Sequence, residues 1–234
     1  MKKNNAPIIS LDDFGANEKA NSNILQIVSL GKADRVAVMT NGEIASEEIN
    51  SLLSSGVKLD SHLDITSYLE KDRQLKKGAL GRIFLFIKKY ISGEISPGKV
   101  KQIWEKQICD FQSLFGKAPD GLNSHEHVHF FPPYFNVATE LARKYSISYV
   151  RFGTQSFSSL SLVSLILNIL RIFNKKKFLN SALSSSTFVV SFDWMNNFDF
   201  KECEERGLNL NDAEIIFHPE REEELAFLKN SESQ

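Results

Sequence analysis

Short apolar runs alternate along this chain with longer stretches in which apolar residues recur three or four positions apart. The short runs read as buried strands and the longer ones as amphipathic helices. Pro7 to Leu11 is the first strand and stops at Asp12-Asp13-Phe14-Gly15. Glu18 to Leu30 follows as a helix through Ile24, Leu25, Val28 and Leu30, closed by Gly31. Arg35 to Met39 is a second strand, Ile44 to Ser54 a helix before Gly56, and Val57 to Leu59 opens a third strand leading to Asp60-Ser61-His62. Ile83 to Ile91, inside a mixed region 70–98, reads as a helix. Val100 to Phe115 is an amphipathic helix with Val100, Ile103, Trp104, Ile108, Phe111, Leu114 and Phe115 on one broad face, ended by Gly116 and Pro119. A strand through Gly121-Leu122 then enters Asn123-Ser124-His125-Glu126-His127-Val128-His129. Pro133 to Tyr145 returns as a helix, and Ile147 to Val150 is a strand ending at Arg151. Phe157 to Phe173 is a strongly apolar helix, closed by Lys175-Lys176-Lys177 read as a solvated turn. Thr187 to Phe192 and Glu214 to Phe217 are the last strands, the latter ending at His218-Pro219-Glu220 before a helix from Glu222 to Leu228.

Strands alternating with helices imply parallel βα units. The predicted fold class is α/β, a distorted (β/α) barrel resembling a TIM barrel, as a single domain over residues 1–234. Segments 70–98 and 155–185 are read as insertions, lids or interface elements. A chain of 234 residues suits one barrel-type domain.

The strand-like runs end in ionisable residues: Asp12 and Asp13, His62, the His125 cluster, Arg151 and His218. On a barrel those ends share the one face where active sites lie. In an extended segment His125, His127 and His129 would point the same way and offer imidazoles to a metal such as Zn, Ni, Co or Mn. Spacing alone leaves open which of them binds. Asp12 and Asp13, adjacent carboxylates at a strand end, repel unless a cation or proton lies between them. One ligating a metal and the other acting as general base would resolve this; an Asp-rich helix cap is the equal alternative.

The formal net charge of −1 gives no electrostatic case for nucleic acid. Two cysteines, Cys109 and Cys203, form neither a disulfide framework nor a CxxC motif. Met1 to Pro7 is basic and leads into a strand, with no secretory apolar region, so a cytoplasmic location is expected. The 157–173 run is shorter than the ~20 apolar residues of a membrane span and carries serines and Asn168. Packing against the barrel, or against a second copy in a homodimer, is the favoured reading; peripheral membrane contact through the lysine triplet is the less favoured one.

Leu11-Asp12-Asp13-Phe14-Gly15, Asn41-Gly42, the His62 strand end, Gly116-Lys117-Ala118-Pro119, Asn123-Ser124-His125-Glu126-His127-Val128-His129 and Phe217-His218-Pro219-Glu220 occur in this order over nearly the whole chain. In these stretches the chain resembles the YdjC-like carbohydrate deacetylases, which include chitooligosaccharide deacetylases. The resemblance implies a metal-dependent hydrolase that removes an N-acetyl group from an amino-sugar unit of an oligosaccharide or glycoconjugate. It implies one divalent ion, Zn or Mg, held by Asp13, His62 and His125, with Asp12 as general base and His218 as general acid. Arg151, His127 and Glu126 are secondary candidates for substrate contact or for orienting the ligands. Three departures stand out: Asn123 where the family usually has Asp, a longer stretch before His62-Leu63-Asp64-Ile65-Thr66, and Glu220 where the family often has Gly. An added carboxylate at Glu220 would either raise the His218 pKa or narrow the substrate range.

Two other classes compete. A barrel amidohydrolase or phosphoesterase would show two metals ~3.5–4 Å apart. A non-catalytic sugar-binding relative would need neither a base nor an acid, which Asp12 and His218 supply.

Overall fold

A computed structural model describes residues 7–66, 79–156, 161–194 and 210–231. Six strands form one parallel sheet: β1 (Ile8–Phe14), β2 (Arg35–Val38), β3 (Lys58–Leu63), β4 (Gly121–Ser124), β5 (Val189–Ser191) and β6 (Glu214–Phe217). Their order is β4-β3-β2-β1-β6-β5. Parallel neighbours require crossovers, and helices supply most of them. These are α1 (Glu18–Ser29), α2 (Ser46–Ser55), α3 (Ala79–Ile91), α4 (Pro97–Phe115), α5 (Pro132–Lys144), α6 (Leu162–Leu179) and α7 (Glu222–Asn230).

The architecture is thus α/β with a curled, half-barrel sheet, and the described residues do not make a closed eight-stranded barrel. The expected strand from Ile147 to Val150 is reduced to isolated bridges, Leu122 with Val150 and Tyr149 with Ser184. They carry the sheet past β4 without a regular ladder. The expected Thr187–Phe192 strand shortens to β5, because Phe192–Trp194 turn into a 3-10 helix.

Local chemistry explains most boundaries. Asn17 caps α1, accepting the Ala20 N–H at 2.9 Å. Glu48 accepts the Ala45 N–H at 2.9 Å at the start of α2. Pro132 and Pro133 open α5, where a missing N–H costs nothing. Among the α4 residues read as one apolar face, Val100, Trp104, Ile108, Phe111 and Phe115 are buried, while Leu114 is exposed. The helix expected over 157–173 instead spans Leu162–Leu179, so Lys175, Lys176 and Lys177 belong to it and are no turn; residues 157–160 lie outside the described ones. No helix among the described residues is long and apolar enough to cross a membrane.

Two apolar clusters flank the sheet, one around Leu11, Phe14, Ile24, Val36 and Phe217, the other around Trp104, Tyr134, Phe135 and Phe152. The curled face between the strands is polar instead. Alternation puts Ser10 with Asp12, and Asp60 with His62, on one strand face each. Arg35 donates to both oxygens of Asp60, at 2.8 and 2.5 Å, and its guanidinium lies 3.9 Å over the Tyr149 ring. Tyr149 donates to Glu214 at 2.5 Å, and Arg151 Nε to the other Glu214 oxygen at 2.7 Å. Gly121 is required here. A Cβ on it would stand 2.6 Å from both Arg35 Nη2 and Asp60 Oδ1.

Candidate metal and acid–base site

Adjacent residues of a regular strand face opposite ways, so Asp12 and Asp13 need a local irregularity to serve one site. The register of β1 against β2 slips between Leu11 and Phe14, and Asp13 takes φ 72°. Such a bulge, with a non-glycine residue in the left-handed region, re-aims side chains and stores strain of ~1–3 kcal/mol. Gly15, next along, lets two loops meet: a Cβ on Gly42 would lie 1.7 Å from the Gly15 carbonyl oxygen. The Asn41-Gly42 pair gains its meaning here, since Asn41 Nδ2 also donates to Asp64 at 2.9 Å.

Asp13 receives both imidazoles on one oxygen. His125 Nδ1 is 2.9 Å and His62 Nε2 3.2 Å from its Oδ1. Burial pushes the Asp13 carboxyl up, but hydrogen bonds from His125 and His62 and their charge outweigh this and hold it far below the usual carboxylate range. Burial likewise lowers His125, and the Asp13 carboxylate more than restores it. Ligand atoms of the three residues lie within 4.8 Å of one another, the one such group of His, Cys, Asp or Glu among the described residues. Donors ~3 Å apart are what a divalent ion ~2.1 Å from each requires, and one carboxylate with two imidazoles is a donor set that suits zinc-type ions. These residues fit such an ion.

His62 is held on β3, the strand that the sequence opens over Val57 to Leu59 and that runs through Leu63. Its Nδ1 lies 2.6 Å from Asn123 Oδ1. An amide oxygen only accepts, so His62 carries a proton on Nδ1, which leaves Nε2, 3.2 Å from Asp13, as the ring atom that could bind an ion. Asn123 Nδ2 is buried without a partner. The neutral Asn123 thus orients the ring as a carboxylate would, with less charge behind it.

Asp12 is placed quite differently. Only 2% exposed, it accepts Arg151 Nη1 at 2.6 Å and Nη2 at 2.8 Å. Burial raises its pKa, but the Arg151 charge prevails, with help from His62, and holds it well below the carboxylate range. Arg151, a candidate for substrate contact or for orienting the ligands, is wholly buried and spans Asp12, Ser10 and Glu214. It orients Asp12.

The three histidines expected on one extended face do not share one. His125–Phe130 is a 3-10 turn with positive φ at Glu126 and His127. Ser124 Oγ ties the turn by accepting the His129 N–H at 3.0 Å. His129 Nε2 donates to the Arg151 carbonyl at 2.7 Å, so its Nδ1 accepts from Ser124 at 2.6 Å. Burial pushes His129 down to about 3, and it is a neutral structural group. His127 turns toward the Trp194 ring, 5.3 Å between centroids, and burial also lowers it. Its Nδ1 has no hydrogen-bond partner. Glu126 pairs with Arg82 at 3.3 Å.

His218 follows β6. The carboxylate beside it is Glu224, not Glu220: His218 Nδ1 stands 3.7 Å from Glu224 Oε2, an ion-pair rather than hydrogen-bond distance, while the His218 N–H donates to that oxygen at 2.6 Å. Glu220 instead accepts Asn17 Nδ2 at 3.0 Å. Burial lowers the His218 pKa, but Glu224, Asp12 and Asp13 outweigh it and raise it.

Sequence reasoning missed Glu214, Asp60, Arg35 and Glu224. A signal existed for Glu214: a carboxylate opening the apolar run Glu214-Ile215-Ile216-Phe217 must find a buried cation.

The model of the YdjC-like protein family matches residues 8–234. Curated relatives include a Mus musculus carbohydrate deacetylase, 22% identical over 63% of this chain and 50% of its own length, and a Homo sapiens carbohydrate deacetylase, 24% identical over 62% and 47%. A Citrobacter koseri chitooligosaccharide deacetylase is 26% identical over 80% of this chain and 74% of its own. The chain spans about half the length of the first two. A solved Enterococcus faecalis protein, named for a suggested role in cellobiose-phosphate cleavage, superposes with TM-score 0.60 at 18% identity, covering 90% of this chain and 79% of that one; this likeness concerns the fold. With the family's model covering every strand and helix that builds the Asp13–His62–His125 group, this chain belongs to the YdjC-like protein family.

Proposed function

We propose that the protein hydrolyses the N-acetyl group of an amino-sugar unit in an oligosaccharide or glycoconjugate. The observation that carries this reading is the division between the adjacent aspartates. Asp13 faces two imidazoles, whereas Asp12 faces a guanidinium. The relatives' names supply the substrate class. Asp13, His62 and His125 would hold a divalent ion, which when bound would supply Lewis-acid polarisation of an amide carbonyl and a more acidic water.

Asp12 then takes a proton from the attacking water. Its low pKa makes it a weak base, adequate only for a water already acidified, and keeps it ionised at every working pH. His218 donates a proton to the departing amine. His127, with an unpaired Nδ1 beside Trp194, contacts the sugar. Both oxygens of Asp12 are engaged by Arg151, so it is a poor bridging ligand, which favours one ion over the paired ions of a phosphoesterase.

Acetate release from a panel of N-acetylated oligosaccharides by the metal-loaded protein tests the reading; no release from any of them, with metal bound, would refute it. The acid is tested by leaving groups. His218→Ala should cut amide hydrolysis ~10²-fold or more and spare an activated aryl ester, whose phenolate leaves unaided. Equal losses on both would remove His218 from the acid role.

A pH profile probes the same group. A general acid must be protonated, so activity falls as pH rises through its pKa. Glu224 and Asp12 beside His218 favour its protonated form and so move that limb toward higher pH. Glu224→Gln removes the neighbouring negative charge and should move the alkaline limb of kcat/KM to lower pH. An unmoved limb would separate His218 from it.

A further inference from the structure

Helix α6 is built inside out. Its inward face carries Ser164, Arg171 and Asn174 beside Leu167 and Phe178, and Asn174 donates to the Phe130 carbonyl at 2.6 Å. Its outward face carries Leu162, Leu165, Ile169, Ile172, Phe173 and Leu179, with Ile172 71% and Phe173 69% exposed. At 3.6 residues per turn these six fall within an arc of roughly 120°. Half of the large apolar side chains exposed among the described residues belong to this one helix. A continuous apolar stripe of this kind marks a surface that meets something apolar.

The charges name the occupant. Helix α6 has no acidic residue, and its last turns carry Lys175, Lys176 and Lys177, all exposed. On the same rotation Lys176 lies within the apolar arc and Lys175 and Lys177 flank it on either side. Helix α3 repeats the pattern with exposed Ile87, Lys88 and Ile91 and no acidic residue. Both helices pack on neighbouring residues: Phe86 of α3 meets Phe131, 5.3 Å between ring centroids, next to the Phe130 that α6 holds. The whole chain has a net charge of −1, so this basic and apolar face contrasts with the rest of the surface. A second copy of this face has no acidic residue on the helix to offer the lysines a counter-charge. An anionic bilayer offers acyl chains to the stripe and phosphates to the lysines, the arrangement of a helix lying in the membrane interface.

We propose that the outward face of α6, with α3 beside it, docks the protein onto the surface of an anionic lipid bilayer. The helix lies in the interface, since none among the described residues is long and apolar enough to cross. Vesicle flotation with the purified chain tests this without reference to catalysis. The chain should float with phosphatidylcholine vesicles containing phosphatidylglycerol, remain in solution with phosphatidylcholine alone, and be released by salt. Lys175→Glu, Lys176→Glu and Lys177→Glu together should weaken binding ~100-fold or more. Ile169→Gln with Ile172→Gln should abolish it, with the melting temperature unchanged because both side chains are exposed. No flotation with the anionic vesicles, or flotation unaffected by either set, would overturn the proposal. So would a dimer in solution that the isoleucine pair dissolves, which would give the face to a second copy.

Discussion

Replacing Asp12 by Asn is expected to lower kcat for deacetylation by ~10²–10⁴-fold while leaving the metal bound, whereas Asp13→Asn is expected to lose the metal. The expectation follows from what each carboxylate touches. Asp13 Oδ1 lies 2.9 Å from His125 and 3.2 Å from His62, so an amide there removes one of three donors and the only negative one. Asp12 touches neither imidazole at ligand distance; its oxygens accept from Arg151 at 2.6 and 2.8 Å. An amide at position 12 keeps one acceptor for Arg151 but turns an NH₂ toward the guanidinium. Some stability is lost, so metal content and thermal melting should accompany the kinetics. Metal lost from the Asp12→Asn variant and retained in the Asp13→Asn variant would reverse the assignment. Full turnover by the Asp12→Asn variant would end the proposed base.

The second large effect concerns Arg151. It is 0% exposed and neutralises two buried carboxylates, Asp12 and Glu214. Removing one partner of a buried ionic group costs more than the group contributed, because the other charges stay buried and unpaired. Arg151→Met should therefore destabilise the fold by ~3–5 kcal/mol, read as a shifted denaturation midpoint. Without the guanidinium, burial would push Asp12 up toward protonation and disable it as a base. Arg151→Lys should fold better yet remain slow, since one ammonium cannot grip both Asp12 oxygens and reach Glu214 and Ser10. A denaturation midpoint of Arg151→Met close to that of the parent would show that the network contributes little.

Much of this protein was legible in its sequence, because local patterns carry local information. Alternating apolar runs and helical spacings located β6 residue for residue and most helices within a turn. Ionisable residues at strand ends, Asp13, His62 and His125, marked groups that parallel topology brings to one edge of the sheet. Other features depend on tertiary contact. The bulge that re-aims Asp13 relative to Asp12 follows from the pairing of β1 with β2 and β6. The His125–His129 segment alternates like a strand, yet it turns because Ser124 and the Arg151 carbonyl bind His129. Arg151 reads only as a strand-end cation until Glu214 and Asp12, distant in sequence, enclose it. Helix α6 is a related case: apolar periodicity says that a face avoids water, not which partner covers it. The protein buries the polar face of that helix because Phe130 and Gly153 offer backbone acceptors there, to Asn174 and Arg171. Spacing along the chain determined the elements and the donors; partners far apart in sequence decided which donors meet, which proton each imidazole holds and which helical face is left outward.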